Sequence, residues 1–153
     1  RLLNIQYMYL DLFLCERCRE TEKNLNEAVE ELSGILGSTG TELKIEKIHV
    51  QGEEQARQLG FNSSPTIRIN GYDLQPEVEE SLCQCCSQLC DEDVDCRIWT
   101  YAGQVYDVPP KPMITEAILK EAYCNRGESL AQKSLPANIP ENLQRFFRSR
   151  KRQ

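Results

Sequence analysis

Alternating apolar and polar residues divide the first half of the chain into short strands and helices. A mostly apolar run at residues 5–14 predicts a strand in the interior of a sheet. The next segment, residues 16–36, predicts a helix, because its apolar positions fall on one stripe and Gly37 and Gly40 follow it. The stripe consists of Leu25, Ala28, Val29, Leu32, Ile35 and Leu36.

The same pattern continues as a second strand, a short helix and a hairpin. Residues 43–50 predict a strand, and the slip in their alternation between Ile45 and Ile48 predicts a bulge or a bend. "EEQARQLGF" predicts a short helix. "SSPTIRINGYDL" then predicts a loop and a hairpin that turns at Asn70-Gly71, a dipeptide typical of two-residue hairpin turns. A long helix between the first two strands indicates a parallel crossover.

The second half of the chain predicts a closing helix that is preceded by an insertion. Three prolines announce the helix at residues 113–123. The insertion covers about residues 76–108, and it predicts a helix over 77–90 and a hairpin that turns at Ala102-Gly103. Together these elements indicate an α/β fold with a central mixed sheet flanked by helices.

Charge separates an acidic body from a basic end. Residues 125–153 hold seven basic and two acidic side chains, a net charge of +5, which leaves a net charge of −11 on residues 1–124. An acidic body argues against nucleic acid as the main partner. The basic end predicts a solvated, partly disordered polar tail with a short amphipathic helix at "PENLQRFF". The alternatives are that its basic residues contact an acidic partner, nucleic acid or this protein's own body, and that Phe146 and Phe147 dock on a partner or on the body.

Cysteine content bears on the compartment. Eight cysteines in 153 residues is a high number, and without a recognisable leader it favours redox or metal chemistry in a reducing compartment. We therefore expect a cytoplasmic protein, with a removed leader as the alternative because the first residue is not Met. No apolar run is long enough for a membrane helix. The pattern predicts no particular oligomeric state.

A C-x-x-C pair stands where the first strand gives way to the first helix. At a helix N-terminus the backbone N–H groups and the helix dipole stabilise a thiolate. Cys15 is therefore predicted to be an exposed nucleophile and Cys18 the resolving thiol, with Arg17 helping to hold the thiolate and Glu16 opposing it. Two other interpretations of the pair stay open: half of a soft-metal site, or two structural cysteines.

The segment "SSPTIRI" supplies a possible partner for this pair. A proline in a loop just before a strand is a typical place for a cis peptide bond, which Ser64–Pro65 would form. Ser64 could then offer its backbone N–H and C=O to an extended substrate. We predict a catalytic role for Pro65 and a substrate-binding role for Ser64 and Thr66.

These motifs resemble the thioredoxin-like superfamily over residues 4–75, with residues 113–123 as its closing helix. The resemblance implies a thioredoxin-like fold, in which Cys15 is the nucleophile, Cys18 resolves and Pro65 is the cis-proline. More narrowly, "YLDLFLCERC", "SSPTIRING" and "DVDCRIW" resemble an uncharacterised prokaryotic thioredoxin-like family, a domain of unknown function. That resemblance extends over about residues 5–124 and implies no substrate. We expect residues 1–124 to form one domain, which includes the insertion, and residues 125–153 to form the basic tail.

A second group of cysteines lies in "CQCCSQLCDEDVDC". If residues 77–90 are helical, Cys83, Cys86 and Cys90 share one stripe, and Cys96 could complete four sulfur ligands for zinc or another soft metal. Disulfides among these cysteines are the alternative, either as a structural staple or as a relay that exchanges with Cys15–Cys18. Buried, unreactive cysteines are the third.

The whole pattern predicts a thiol–disulfide oxidoreductase that needs no cofactor and acts on a protein or small-molecule thiol or disulfide. The competing hypothesis is a thiolate protein that sequesters or delivers zinc or a toxic soft metal. A scaffold that keeps the fold without chemistry is the third hypothesis.

Overall fold

Two β-sheets and four α-helices make up the part of the chain that the computed structural model describes: residues 1–13, 15–83, 87, 94–124 and 139–151. The larger sheet has the order β2-β1-β3-β4, with β1 (Leu2–Tyr9), β2 (Glu42–His49), β3 (Thr66–Ile69) and β4 (Tyr72–Asp73). The smaller sheet has the order β5-β6-β7, with β5 (Glu79–Leu82), β6 (Asp95–Tyr101) and β7 (Gln104–Tyr106). The helices are α1 (Glu16–Ser38), α2 (Glu53–Leu59), α3 (Lys111–Tyr123) and α4 (Glu141–Lys151).

The larger sheet is mixed, and this confirms the predicted α/β class. Strand β1 pairs in parallel with β2, and α1 forms the crossover between them. Strand β3 pairs antiparallel with β1 on its other side, and β4 pairs antiparallel with β3. Parallel neighbours need such a helical connection, whereas β3 and β4 need only the two-residue turn at Asn70-Gly71.

Side chains of the larger sheet enter two cores on opposite faces. Along β1, Ile5 and Tyr7 point to one face and Met8 to the other, because successive residues of a strand alternate. The aliphatic core contains Leu3, Ile5, Tyr7, Leu25, Ala28, Leu32, Leu36, Ile67, Ile69, Ile114, Ile118 and Ala122. The cysteine core contains Met8, Leu10, Cys15, Cys18, Val50, Ala56, Phe61, Cys83, Val94, Cys96, Ile139, Leu143, Phe146 and Phe147.

The prediction of a bulge in the second strand is wrong. Strand β2 pairs with β1 in an unbroken register that runs from Leu2 opposite Glu42 to Tyr9 opposite His49. Ile45 packs against the aliphatic core and Ile48 against the cysteine core. The slip in alternation therefore arises because both faces of the sheet are covered, so that apolar residues are needed on each.

Strand β1 begins and ends earlier than predicted, at Leu2–Tyr9 instead of residues 5–14. The chain leaves the sheet after Tyr9, where the Asp11 Oδ1 atom accepts a hydrogen bond from the Phe13 N–H at 2.7 Å. Such a turn, closed by an aspartate side chain, competes with continued strand pairing. This turn leaves the apolar side chain of Phe13 86% exposed.

Helix α1 starts at Glu16 as predicted and ends at Ser38, two residues later than predicted. Gly37 therefore lies inside the helix, while Gly40, at φ 85°, follows it in the left-handed conformation. Four of the six predicted stripe positions are buried, but Ile35 is 61% exposed. Ile35 is exposed because the buried positions 25, 28, 32 and 36 already define a narrower face.

Both predicted hairpin turns are confirmed. Asn70 and Gly71 have φ values of 51° and 86°, and Ala102 and Gly103 have values of 52° and 80°. Two consecutive positive φ values are what a two-residue turn between twisted strands requires.

The helix predicted over residues 77–90 is wrong for its first part. Residues Glu79–Leu82 form strand β5, which pairs antiparallel with β6 from Glu79 opposite Ile98 to Leu82 opposite Asp95. Pairing with a distant strand outweighs the modest helix preference of this polar stretch, as tertiary context often does. Residues 84–86 and 88–90 of that predicted helix lie outside the described residues.

Helix α4 confirms the amphipathic helix predicted near the C-terminal end, but the prediction that this segment is solvated is wrong, because the helix packs on the body. Its Leu143, Phe146 and Phe147 are at most 2% exposed and belong to the cysteine core. Of the two docking alternatives for the phenylalanines, the protein's own body is therefore the one observed.

Candidate functional site

Cys15 is the N-cap residue of α1. Its backbone is extended, with φ −83° and ψ 103°, and its Sγ atom accepts the Cys18 N–H at 3.4 Å. Its carbonyl oxygen accepts the Arg19 N–H at 3.1 Å, the first hydrogen bond of the helix. The sulfur thus lies against the unpaired N–H groups of the first turn, where negative charge is stabilised.

The Ser64–Pro65 loop lies against this cysteine pair. The Ser64–Pro65 peptide bond is cis, as predicted. The Ser64 Oγ atom is 3.6 Å from the Cys18 Sγ atom, and it also accepts the Leu10 N–H at 3.1 Å. The structure therefore brings together the two segments that sequence reasoning paired, the C-x-x-C turn and the Ser-Pro loop.

Cys18 is fully buried beneath Cys15, and its pKa is raised well above that of an ordinary thiol. The main cause is a hydrogen bond to Cys15, followed by burial and by the negative charge that Cys15 can carry. Ser64 and the Asp11 backbone oppose this rise through their own hydrogen bonds to the Cys18 sulfur. Cys18 therefore holds its proton and can donate it toward Cys15.

Cys83 and Cys96 join Cys15 in a cluster of three buried thiols. Their Sγ atoms all lie within 4.8 Å of one another, and each residue is at most 2% exposed. Three such sulfurs could hold a soft metal ion. No disulfide links the five cysteines that the structure describes, which also include Cys18 and Cys124.

This cluster differs from the four-cysteine set predicted from the sequence. Cys83 follows strand β5 instead of lying on a helical stripe, and Cys96 lies on β6. Cys86 and Cys90 lie outside the described residues, as does Cys85. Sequence reasoning missed that Cys15 is the third sulfur, because only the docking of the smaller sheet brings it to Cys83 and Cys96.

The predicted exposure of Cys15 is wrong. Its side chain is 1% exposed, because the smaller sheet and α4 enclose the cysteine core from outside. Ser64 and Thr66, the predicted substrate-binding residues, are also at most 2% exposed. Their substrate-binding role stays a prediction.

Arg17, predicted to hold the Cys15 thiolate, instead binds the smaller sheet. Its guanidinium donates to the carbonyl oxygens of Ser81, Leu82 and Cys96 at 3.5, 3.3 and 3.4 Å, and it pairs with Asp107 at 3.4 Å. The first turn of α1 is thereby tied to both β5 and β6.

Arg97 is a second anchor, and sequence reasoning missed it. Its fully buried guanidinium forms a bidentate pair with Asp73, at 3.0 and 2.6 Å, and lies 4.5 Å from the centre of the Trp99 ring. The sequence did carry a signal for a buried, paired arginine, because Arg97 shares one face of the predicted hairpin strand with Trp99. A charge on such a face must find a partner.

Helix α4 holds the other end of β6. The Asn142 side chain accepts the Asp95 N–H at 2.7 Å and donates to the Asp95 carbonyl oxygen at 2.9 Å. It also donates to Glu80 on β5 at 3.3 Å. The smaller sheet is thus fixed over the cysteines from three sides, by α1, by β4 and by α4.

Tyr7 yields a testable pH dependence. Burial, followed by the charges of Cys18 and Cys15, raises the pKa of Tyr7, whose hydroxyl donates to the Cys18 carbonyl oxygen at 2.5 Å. A protein whose tyrosine keeps its proton in the folded state loses stability as the pH rises above the unfolded-state pKa of that tyrosine, about 10. We expect the free energy of unfolding to fall there more steeply in the wild type than in Tyr7→Phe, by at most about 1.4 kcal/mol per pH unit.

Denaturant unfolding of both proteins at a series of pH values measures this difference. Lysines titrate in the same range but are common to both proteins, so the difference in slope isolates Tyr7. Identical slopes would contradict a raised Tyr7 pKa.

Comparison with known proteins gives one match. The model of a family described as a domain of unknown function (DUF2703) matches residues 3–118, which include every element from α1 to β7, the three clustered cysteines and Cys18. Helix α4 lies beyond the matched residues. No curated protein and no solved structure matches the chain. Among the described helices, none has the length and apolar character needed to cross a membrane.

Proposed function

We propose that this chain, which belongs to the DUF2703 family, is a thiol–disulfide oxidoreductase that works through Cys15 and Cys18. The observation that carries the proposal is the hydrogen bond from the Cys18 N–H to the Cys15 sulfur at the start of α1. This contact supports Cys15 as the attacking sulfur, because a thiolate is stabilised at a helix N-terminus, and it supports Cys18, three residues later, as the thiol that resolves the intermediate.

The reaction is a two-step exchange. The Cys15 thiolate attacks one sulfur of a substrate disulfide, so that a mixed disulfide forms and the first substrate thiolate leaves. The Cys18 sulfur then attacks Cys15 and forms the Cys15–Cys18 disulfide, while its proton passes to the second leaving sulfur. Two electrons thus move from the cysteine pair to the substrate, which is a protein or small-molecule disulfide.

The fold supports the proposed function, because its arrangement fits a thioredoxin-like domain. The β-α-β-α-β-β order, the β2-β1-β3-β4 sheet and the closing helix α3 are the arrangement that the resemblance implies. In this proposal residues 1–124 are one domain with an insertion at about residues 76–108, and Pro65 is its cis-proline. A cytoplasmic, reducing compartment suits a cysteine pair that must cycle between dithiol and disulfide.

Equilibrium redox titration tests the proposal. The protein is equilibrated in glutathione buffers of graded potential, its thiols are trapped by alkylation, and its peptides are mapped by mass spectrometry. We expect Cys15 and Cys18 to lose their alkylation together in one two-electron transition, as a disulfide that joins them. If both cysteines stay alkylated across the range while other cysteines oxidise, the proposal fails.

A second candidate function, thiolate metal binding, is favoured by the cluster of Cys15, Cys83 and Cys96. Metal–sulfur bonds of about 2.3 Å would place three sulfurs around one ion about 4 Å apart. Sulfurs that lie within 4.8 Å of one another need at most a small contraction to reach that spacing. Zinc and softer ions both suit such a cluster. Formation of a Cys15–Cys18 disulfide would remove one of the ligands and release the ion.

Native mass spectrometry of the same reduced protein tests this candidate. We expect one Zn²⁺ or Cd²⁺ per chain in the wild type and in Cys124→Ser, whose substituted thiol is exposed at the end of α3. Cys83→Ser should lose the ion. Equal loading of all three proteins would contradict a site at this cluster.

A further inference from the structure

We infer that strand β6 is a built-in substrate strand and that Cys96 is the internal exchange partner of Cys15. The inference rests on the proposed function. It identifies the thiol that takes over the disulfide from the Cys15–Cys18 pair, and this thiol lies in the same chain.

The first observation is the way in which β6 docks on the Ser64–Pro65 loop. The Arg97 N–H donates to the Ser64 carbonyl oxygen at 2.8 Å. The Gln75 side chain adds two more backbone contacts along β6, accepting the Thr100 N–H at 2.8 Å and donating to the Ile98 carbonyl oxygen at 3.2 Å. An extended peptide that binds by strand addition pairs its backbone with the backbone on which it docks, as the Arg97 N–H does with the Ser64 carbonyl oxygen.

The second observation is the residue that this docking presents. Cys96 immediately precedes Arg97, and its Sγ atom lies within 4.8 Å of the Cys15 Sγ atom. The backbone contact that holds β6 on the loop therefore also places a thiol in front of the nucleophile. A substrate peptide would need the same two features, one hydrogen bond to Ser64 and one cysteine beside Cys15.

The third observation is that β6 is fixed in this position from several directions. Arg97 is anchored through Asp73, Arg17 binds the Cys96 carbonyl oxygen, and Asn142 binds both backbone groups of Asp95. Cys15 is 1% exposed beneath this strand, so a docked β6 occupies the place that an outside substrate peptide would take. Cys96 and Cys83 both lie within 4.8 Å of Cys15, and of the two Cys96 is the one that lies on β6.

The exchange step balances within the chain. When the Cys15–Cys18 disulfide is present, the Cys96 thiolate attacks the Cys15 sulfur, a Cys15–Cys96 disulfide forms, and Cys18 leaves and takes up the proton that Cys96 has lost. The number of disulfides and thiols is unchanged. The disulfide has moved from the pair in α1 to a link between α1 and β6.

Trapping in the Cys18→Ser protein tests this step. Glutathione disulfide is added to the reduced variant; it oxidises Cys15 to a glutathione mixed disulfide and releases one glutathione. Attack by Cys96 then releases the second and leaves a Cys15–Cys96 disulfide. Because a thiol held in place acts at an effective concentration of millimolar or more, we expect this product to exceed the glutathione adduct by at least ~10-fold when glutathione disulfide is at ~0.1 mM.

Peptide mapping separates the outcomes. A lasting Cys15–glutathione adduct, or a dominant Cys15–Cys83 disulfide, would overturn the inference and leave the reactivity of Cys15 intact. No oxidation of Cys15 in any form would overturn the proposed function itself. The Cys18→Ser/Cys96→Ser variant is the matched control and should retain the glutathione adduct. If circular dichroism shows that Cys18→Ser is unfolded, Cys18→Ala takes its place.

Discussion

Replacing Cys15 with serine is expected to slow the oxidation of Cys18 by glutathione disulfide roughly 100-fold or more, because a serine hydroxyl is not a nucleophile at neutral pH. Cys18 is fully buried, so the route through Cys15 is the one open to it in the proposed mechanism. The measurement is the rate at which Cys18 becomes resistant to alkylation, read from its own peptide by mass spectrometry. Thiols elsewhere in the chain do not affect this readout.

The Cys15→Ser variant is a clean test because serine preserves the local structure. The Cys15 sulfur caps α1 by accepting the Cys18 N–H, and serine is among the best residues at such an N-cap position. Loss of activity with an unchanged unfolding midpoint therefore reports chemistry and not misfolding. Cys124→Ser is the matched control and should react at the wild-type rate. If Cys18 oxidises equally fast in both variants, Cys15 is not the nucleophile.

Replacing Asp73 with alanine is expected to lower the free energy of unfolding by about 3 kcal/mol, because it leaves the buried Arg97 guanidinium without its carboxylate. The Arg97 side chain is fully buried and that of Asp73 is 23% exposed, so water cannot replace both hydrogen bonds. Denaturant unfolding measures the loss. The variant also loosens the anchor of β6 and should make Cys96 react faster with an alkylating reagent.

Two further proteins make the Asp73 experiment interpretable. Glu31→Ala removes the carboxylate of the exposed pair between Lys111 and Glu31 and should cost about 0.5 kcal/mol or less. Asp73→Ala combined with Arg97→Met removes both charges and should recover part of the lost stability. An Asp73→Ala protein no less stable than Glu31→Ala would show that the buried pair does not hold the strand.

Local pattern predicted the larger sheet because each of its parts is encoded nearby. The helix start at Glu16 follows from the cysteine cap, and the β3–β4 hairpin follows from Asn70-Gly71, a dipeptide that accepts positive φ. Strand β5 could not be predicted in this way. Its polar residues favour a helix locally, and only pairing with β6, which lies beyond the cysteine-rich loop, makes them a strand.

The candidate site likewise has one part that the sequence predicts and one part that it does not. The pairing of Cys15 and Cys18 with the Ser64–Pro65 loop was predictable because a short motif marks each segment. The meeting of Cys15 with Cys96 was not, because it depends on how one sheet docks on another. That docking relies on the carbonyl contacts of Arg17 and on the pairing of Arg97 with Asp73, which no spacing in the sequence reveals.

The alternation of β1 between two cores also limits how the length of this protein can vary. An insertion or deletion of one residue near the start of Leu2–Tyr9 would exchange the faces of the later side chains of this strand. Tyr7 would then point toward the sulfurs and Met8 toward α1 and α3. Length changes are far better tolerated at a surface turn such as Ala102-Gly103. Engineered insertions, for example a reporter peptide, belong at that turn.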